Sequence, residues 1–308
     1  VITIVGAGRV GVSAATFLMV RELDDITLID IIPGRAEGEA LDLGHAASIL
    51  GLSIDIRGSS DYRDMSGSDL VIVTAGFPRK ADMTREQLLQ KNADVIKSVG
   101  EAIKEYAPNA IVLLTTNPLD MMAYGLWKVT GFERNRIIGF SGVLDGGRLA
   151  YYISKKLKVS PASIDPCVIG QHGQKMVVVP RLTFVGGKPL TEIVSVNEIT
   201  EFKKATLDAG RKIIELRGWS SNHGPGAGLA IMAESIKKDQ KKVFYASVYL
   251  DGEYGVHDVF AGVPVVLGRN GVEKIIELPL TEDEKKEFIG SVNAIKKGVG
   301  ELMQILKL

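Results

Sequence analysis

Six residues near the start do most to limit what this chain can fold into: Gly6-Ala7-Gly8-Arg9-Val10-Gly11, a G-x-G-x-x-G turn. Glycine-rich turns are common, so the spacing alone is a weak signal; its setting strengthens it. The apolar run Val1-Ile2-Thr3-Ile4-Val5 leads in, a helical pattern over 10–20 leads out, and Asp30 closes a second apolar run over 26–29. Strand, turn, helix, strand and acid in that order describe a dinucleotide-binding unit. Gly6 permits the tight turn, Gly8 lets the backbone approach a pyrophosphate, and Gly11 lets helix and strand pack closely, so that helix N-terminal N–H groups meet the phosphates. Asp30 can accept hydrogen bonds from a ribose diol and would repel a 2′-phosphate, which points to NAD and away from NADP. A flavin dinucleotide uses the same fingerprint, and a plain tight turn in another α/β protein stays open at this point.

The rhythm of that unit continues. Short runs rich in isoleucine, valine and leucine predict strands over 2–5, 26–29, 54–57, 70–74, 111–115 and 137–140, as strands covered on both faces require. Helical patterns lie between them over 10–20, 37–50, 84–106 and 119–128. Glycine, 34 of 308 residues, gathers at the joints. The reading is α/β: a doubly wound parallel sheet (Rossmann) as a dinucleotide-binding domain over 1–142, then a mixed α+β catalytic domain over 143–308. In the second part we expect a helix over 143–157, a hairpin at Val185-Gly186-Gly187-Lys188, helices near 197–216 and 225–238, strands within 243–267, and a closing amphipathic helix over 282–308. With no linker in sight, the boundary near 142 reads as a tight hinge.

Composition narrows the partners. Lysine plus arginine and aspartate plus glutamate each number 37, so no net field attracts nucleic acid or an acidic membrane. Charged ligands must be caught locally. The single cysteine, Cys167, rules out an internal disulfide and any multi-cysteine zinc site, and we expect no metal. No targeting segment and no membrane-length apolar run is evident, so the expected location is the cytoplasm.

Asp145 and Arg148 lie three apart at the start of a predicted helix and can share one face. His172, between Gln171 and Gly173 after the apolar pair Val168-Ile169, is either a turn residue or an acid and base. His45 and His257 have no motif around them, and His223, in the polar loop 220–224, reads as structural. The loop over 76–85 holds the cations Arg79, Lys80 and Arg85. It is either a solvated loop or a lid that expels water from a reacting complex.

Five segments together resemble the lactate and malate dehydrogenase family: Thr74 to Lys80, Met83-Thr84-Arg85, Thr116-Asn117-Pro118, Gly142 to Arg148, and Gly170-Gln171-His172-Gly173. The resemblance covers nearly the whole chain and is nearest to microbial NAD-dependent malate dehydrogenases of the lactate dehydrogenase type. It implies that His172, partnered by Asp145, exchanges a proton with the substrate oxygen while the nicotinamide exchanges a hydride. It implies that Arg148 holds the substrate 1-carboxylate, Arg85 polarises the carbonyl, and Arg79 selects a second carboxylate. Asn117 would bind substrate oxygen or cofactor, and Ser221 would lie beside the substrate. Asn92, Thr115 and Thr116 would join Gly6, Ala7, Gly8, Arg9, Val10, Gly11 and Asp30 around the cofactor. The stretch Glu39-Ala40-Leu41-Asp42-Leu43 resembles the pairing helix of the family, implying a homodimer or homotetramer.

Two departures stand out. Gln174-Lys175 follow His172-Gly173 where the family has an aspartate, and Gly146-Gly147 replace a small polar pair. The expected function is NAD-dependent malate dehydrogenase acting on malate and oxaloacetate. A lactate or other 2-hydroxy acid dehydrogenase is the alternative within that chemistry, and a catalytically silent NAD-binding regulator or a metal-dependent glycosidase are alternatives outside it.

Overall fold

The computed structural model describes residues 1–78 and 84–307, Arg85 without its side chain. Six parallel strands build the first part of a large sheet: β1 (Ile2–Val5), β2 (Ile26–Ile29), β3 (Ile56–Ser59), β4 (Leu70–Val73), β5 (Ile111–Leu114) and β6 (Ile137–Gly139). Their order, 3-2-1-4-5-6, is doubly wound about the β1/β4 pair. The crossover helices are α1 (Arg9–Met19), α2 (Arg35–Leu50), α3 (Arg85–Tyr106) and α4 (Leu119–Thr130). Every residue of β1, β2, β4 and β5 is buried, which is why they read as unbroken apolar runs. Strand β3 starts two residues later than the sequence suggested. It lies at the sheet edge and is only partly buried, so its apolar pattern is a poor guide; what locates it is Gly58, where an added Cβ would stand 2.2 Å from the Ala36 carbonyl oxygen on α2.

The chain then runs through α5 (Gly142–Leu157), β7 (Ile164–Asp165), β8 (Val168–Gly170), β9 (Met176–Val178), β10 (Phe184–Val185), β11 (Lys188–Pro189), α6 (Val196–Arg217), α7 (His223–Lys237), β12 (Lys242–Leu250), β13 (Val259–Gly268), β14 (Gly271–Ile275) and α8 (Glu282–Leu306). The β10/β11 hairpin turns on Gly186 and Gly187, both at positive φ (56° and 85°), as a two-residue turn matching strand twist demands. Three of the long helices begin with reciprocal capping, Thr84 with Gln87, Ser195 with Glu198 and Thr281 with Glu284.

Where the sequence suggested a hinge, the structure carries the sheet straight across. β12 pairs antiparallel with β6 through Ser247 and Gly139, and the sheet continues through β13 and β8 to β9. At that seam an added Cβ on Gly139 would lie 2.8 Å from the Ser247 Cβ, so only glycine admits the close approach. Helix α8 returns to pack on α3 and α4. An added Cβ on Gly298 would meet Met121 Cε at 2.0 Å. One apolar core therefore spans both parts, and a smaller cluster around Leu149, Ile153, Val168 and Phe202 lies under α5. Among the described residues no helix is long and apolar enough to cross a membrane.

Candidate active site

The glycine turn is built mainly of backbone. Gly6 sits at φ 108°, and an added Cβ would meet Ala75 N at 2.6 Å; at Gly11 it would meet Gly6 O at 1.9 Å. Gly8 has nothing within 4 Å on that side. It serves as the N-cap of α1 without a side-chain cap, leaving helix N–H groups available to an anion. Beside it opens a cleft of about 550 Å³ lined by Gly6, Gly8, Asp30, Thr74, Gly76 and Tyr62, among others. A dinucleotide fits this arrangement: an open glycine face for the phosphates and a carboxylate at the end of β2.

Asp30 does more than close the strand. Its Oδ2 accepts from Ala7 N–H at 2.9 Å and its Oδ1 from Ile32 N–H at 3.0 Å, tying β2 to the glycine turn. Arg35, which the sequence reading passed over, comes within 3.7 Å of Asp30 Oδ2. The only signal for it was its place one residue after the Gly34 turn, at φ 79°. Arg9 projects outward and stacks on Trp219 at 4.6 Å, with Arg217 on the same ring at 5.4 Å. The phosphate turn thus touches the segment that carries Ser221. Val10 is half-buried behind it.

Thr115 Oγ1 donates to Val73 O at 3.3 Å and Thr116 Oγ1 to Ala75 O at 2.6 Å, holding the ends of β4 and β5 together. Asn117 is exposed at the end of β5. Asn92, which the resemblance implies at the cofactor, has its side chain hydrogen-bonded to backbone. It is 1% exposed; its Oδ1 accepts from Phe77 N–H at 2.7 Å, and its Nδ2 donates to Phe77 O at 3.2 Å and Asn117 O at 2.7 Å. The amide is engaged with backbone and braces the root of the 76–85 loop against Asn117. Arg79 and Lys80 lie outside the described residues, as does the Arg85 side chain, so the expected lid falls there too.

The second cluster gathers side chains from distant segments. Asp145 and Arg148 project from the first turns of α5, and Arg148 Nη1 lies 3.4 Å from Asp145 Oδ1. His172, in the loop after β8, places Nδ1 2.7 Å from Asp145 Oδ2. Arg148 Nη2 donates to Ser221 Oγ at 3.2 Å. Asp145 is buried, at 1% exposure. Burial works against the imidazolium, but the charge of Asp145 and its hydrogen bond, with a contribution from Asp120, outweigh it, so His172 titrates above its ordinary value. A carboxylate at Nδ1 favours the tautomer with its hydrogen on that nitrogen.

Asp120 was absent from the sequence reading. Its Oδ2 accepts from His172 N–H at 2.9 Å and its Oδ1 from Ser247 Oγ at 2.7 Å. The signal available was a carboxylate three residues after Asn117 in an otherwise apolar helix start, Leu119-Asp120-Met121-Met122. At Gly146 an added Cβ would press Pro166 Cγ at 3.1 Å, whereas Gly147 has nothing within 4 Å. Gln174 and Lys175 are both exposed. Cys167 is buried and its thiol is pushed up to about 12 by burial, which makes it inert. His45 is exposed, His257 contacts Asp251, and His223 contacts Asn222 at the start of α7. Among the described residues no group of three or more His, Cys, Asp and Glu side chains is placed to hold a metal ion.

Family models agree with this division of labour. The lactate/malate dehydrogenase NAD binding domain matches residues 1–139, and the lactate/malate dehydrogenase alpha/beta C-terminal domain matches residues 142–305. The chain belongs to the lactate/malate dehydrogenase family. Curated relatives include malate dehydrogenases of Caldivirga maquilingensis, 59% identical, and Pyrobaculum calidifontis, 58% identical, each match covering 98% of both chains. The solved structure of the malate dehydrogenase from Aeropyrum pernix superposes with a TM-score of 0.95 at 56% identity, covering 97% of each chain. The cleft around Gly8 therefore lies in the NAD-binding domain of a lactate/malate dehydrogenase family member, and the His172 cluster is built chiefly by its C-terminal domain.

Proposed function

We propose that the chain interconverts malate and oxaloacetate with NAD, using His172 to give and take the proton. The observation that carries this is the 2.7 Å contact between His172 Nδ1 and Asp145 Oδ2, with the Arg148 guanidinium on the same carboxylate. When bound, the nicotinamide supplies or accepts the hydride. The chain's own residues do the rest. Arg148 presents its planar fork to the substrate 1-carboxylate, and Ser221 Oγ steadies that fork at 3.2 Å. His172 Nε2 donates a proton to the ketone oxygen in reduction and removes it from the alcohol in oxidation. Asp145 keeps the imidazole oriented and favours its charged form.

The relatives named malate dehydrogenase support the substrate class. Arg79 fits the same reading: it would pair with the second carboxylate, and closing on pyruvate would strand a guanidinium in a dry site. Arg85 would polarise the carbonyl, and Asn117 would bind the substrate oxygen or the cofactor. The boundary between a cofactor domain and a substrate domain near residue 142, and action in the cytoplasm, belong to this reading. So does pairing of two copies through α2. Its outer face leaves Leu41 63% and Ile49 86% exposed, and Gly38 and Gly44 have nothing beside them within 4 Å.

The test is NADH oxidation followed with oxaloacetate and with pyruvate, each repeated with NADPH. Fast turnover with oxaloacetate and NADH is expected. Preference for pyruvate overturns the role of Arg79, and turnover with neither substrate overturns the dehydrogenase reading.

A further inference from the structure

The buried carboxylate of Asp120 touches neither the cofactor cleft nor Arg148, yet both of its oxygens are engaged. One accepts from the backbone N–H of His172 at 2.9 Å and the other from Ser247 Oγ at 2.7 Å. An ionised carboxylate is an acceptor only, and here it meets two donors. The three residues come from separate places. Asp120 lies in the first turn of α4, three residues after Asn117; His172 follows β8; Ser247 lies on β12, at the bridge to Gly139 that joins the two parts of the sheet. Asp120 is 3% exposed, so its bonds are made where water does not compete and their loss is not made good by solvent.

That placement has a consequence for chemistry. The cofactor cleft belongs to the first part of the chain and His172 to the second. A proton donor is useful only if it is held within a few tenths of an ångström of the reacting oxygen while hydride transfer is set by the other part. We infer that Asp120 is a positioning residue for proton transfer, a strap from the NAD-binding part that holds the His172 backbone near the sheet seam and adds a second carboxylate close to the imidazole.

The charged groups facing His172 among the described residues are Asp145 and Arg148 from α5 and Asp120 from α4. Asp145 fixes the ring, and Arg148 opposes the imidazolium. Asp120 supports the imidazolium while fixing the main chain. Burial raises its own carboxyl to about 6, while the two hydrogen bonds favour the ionised form that the strap uses.

The inference rests on the malate dehydrogenase reading and is tested on the full-length enzyme with oxaloacetate and NADH. Asp120→Asn keeps the size and removes the charge; its amide oxygen can still accept from His172 N–H and its NH₂ can donate to the Ser247 hydroxyl, which also accepts, so the substitution isolates the negative charge. We expect kcat to fall about tenfold or more, the KM for NADH to stay within about threefold, and the pH profile of reduction to move toward lower pH by about half a unit or more. Ser247→Ala removes one anchor and keeps the carboxylate. It should lower kcat about threefold with no comparable movement of the pH profile, and it serves if Asp120→Asn does not fold. Unchanged kcat in Ser247→Ala overturns the strap. Asp120→Asn with kcat within twofold of wild type, or with kcat lost only in proportion to thermal stability and an unmoved pH profile, overturns the inference. A wild-type enzyme without oxaloacetate turnover defeats the malate dehydrogenase reading instead, so the two failures are told apart.

Discussion

The cofactor cleft and the histidine cluster are built on different principles. In the cleft, the face offered to a phosphate is backbone from one contiguous turn, Gly6 to Gly11. Side chains there serve the scaffold: Asp30 ties Ala7 and Ile32, and Asn92 braces Phe77 and Asn117. In the histidine cluster the side chains are the working parts, and six residues from α4, α5, the loop after β8, the loop before α7 and β12 meet within hydrogen-bond distance. Gly6 and Gly11 admit no side chain, whereas a side-chain cluster tolerates no movement between the elements that carry it. The first kind of site is legible in sequence because its demands are local.

That contrast can be broken at its strongest point. His172→Ala should reduce turnover by roughly 10²–10⁴-fold while leaving NADH binding nearly intact, measured by kinetics and by fluorescence titration. Loss of NADH affinity in step with activity would mean that the two regions are one.

Next in size is Gly11→Ala. Its Cβ would collide with Gly6 O, a backbone atom that cannot swing away. We expect a loss of about 1–3 kcal/mol in stability and weakened NADH binding, read by thermal denaturation and titration. The same substitution at Gly8, which faces open space, should leave the melting temperature nearly unchanged.

A third prediction concerns pH. Because His172 titrates above its ordinary value, oxaloacetate reduction, which needs the imidazolium, should fall as pH rises through that raised value, and it should also weaken below about 6, where Asp120 gains a proton. Malate oxidation needs the neutral ring and should fall as pH drops below it. In Asp145→Asn both limbs should move to lower pH, because the imidazolium loses its partner. Limbs that stay in place would assign the titration to another group.

The smallest effect sharpens the reading of Asp30. Asp30→Ser should raise NADPH use relative to NADH by about tenfold, since the Arg35 guanidinium stands 3.7 Å from the carboxylate removed. An unchanged ratio in parallel steady-state assays would show that Asp30 acts through its bonds to Ala7 and Ile32 alone.

Much of the molecule was written plainly in its residues. Strands β1 and β2 fall where their apolar runs are, and the hairpin at Gly186-Gly187 falls where its turn chemistry requires. Asp145, Arg148 and His172 meet as their motifs implied. The misplacement of β3 and the omission of Asp120 share a cause. At an edge strand, and for a lone carboxylate in an apolar helix, the deciding contact is with an element remote in the chain, Ala36 on α2 for Gly58 and Ser247 on β12 for Asp120. The sheet crossing at Gly139 and Ser247 went unread for the same reason.

The sequence by itself determined the doubly wound half and the glycine turn, because backbone conformation and burial on both faces are local properties. Only the tertiary structure decided how His172 is held, that Asn92 is engaged as a brace, and that Arg35 stands over Asp30. Each depends on which donor and acceptor meet once the chain has closed, and no local pattern records the direction of a buried side chain.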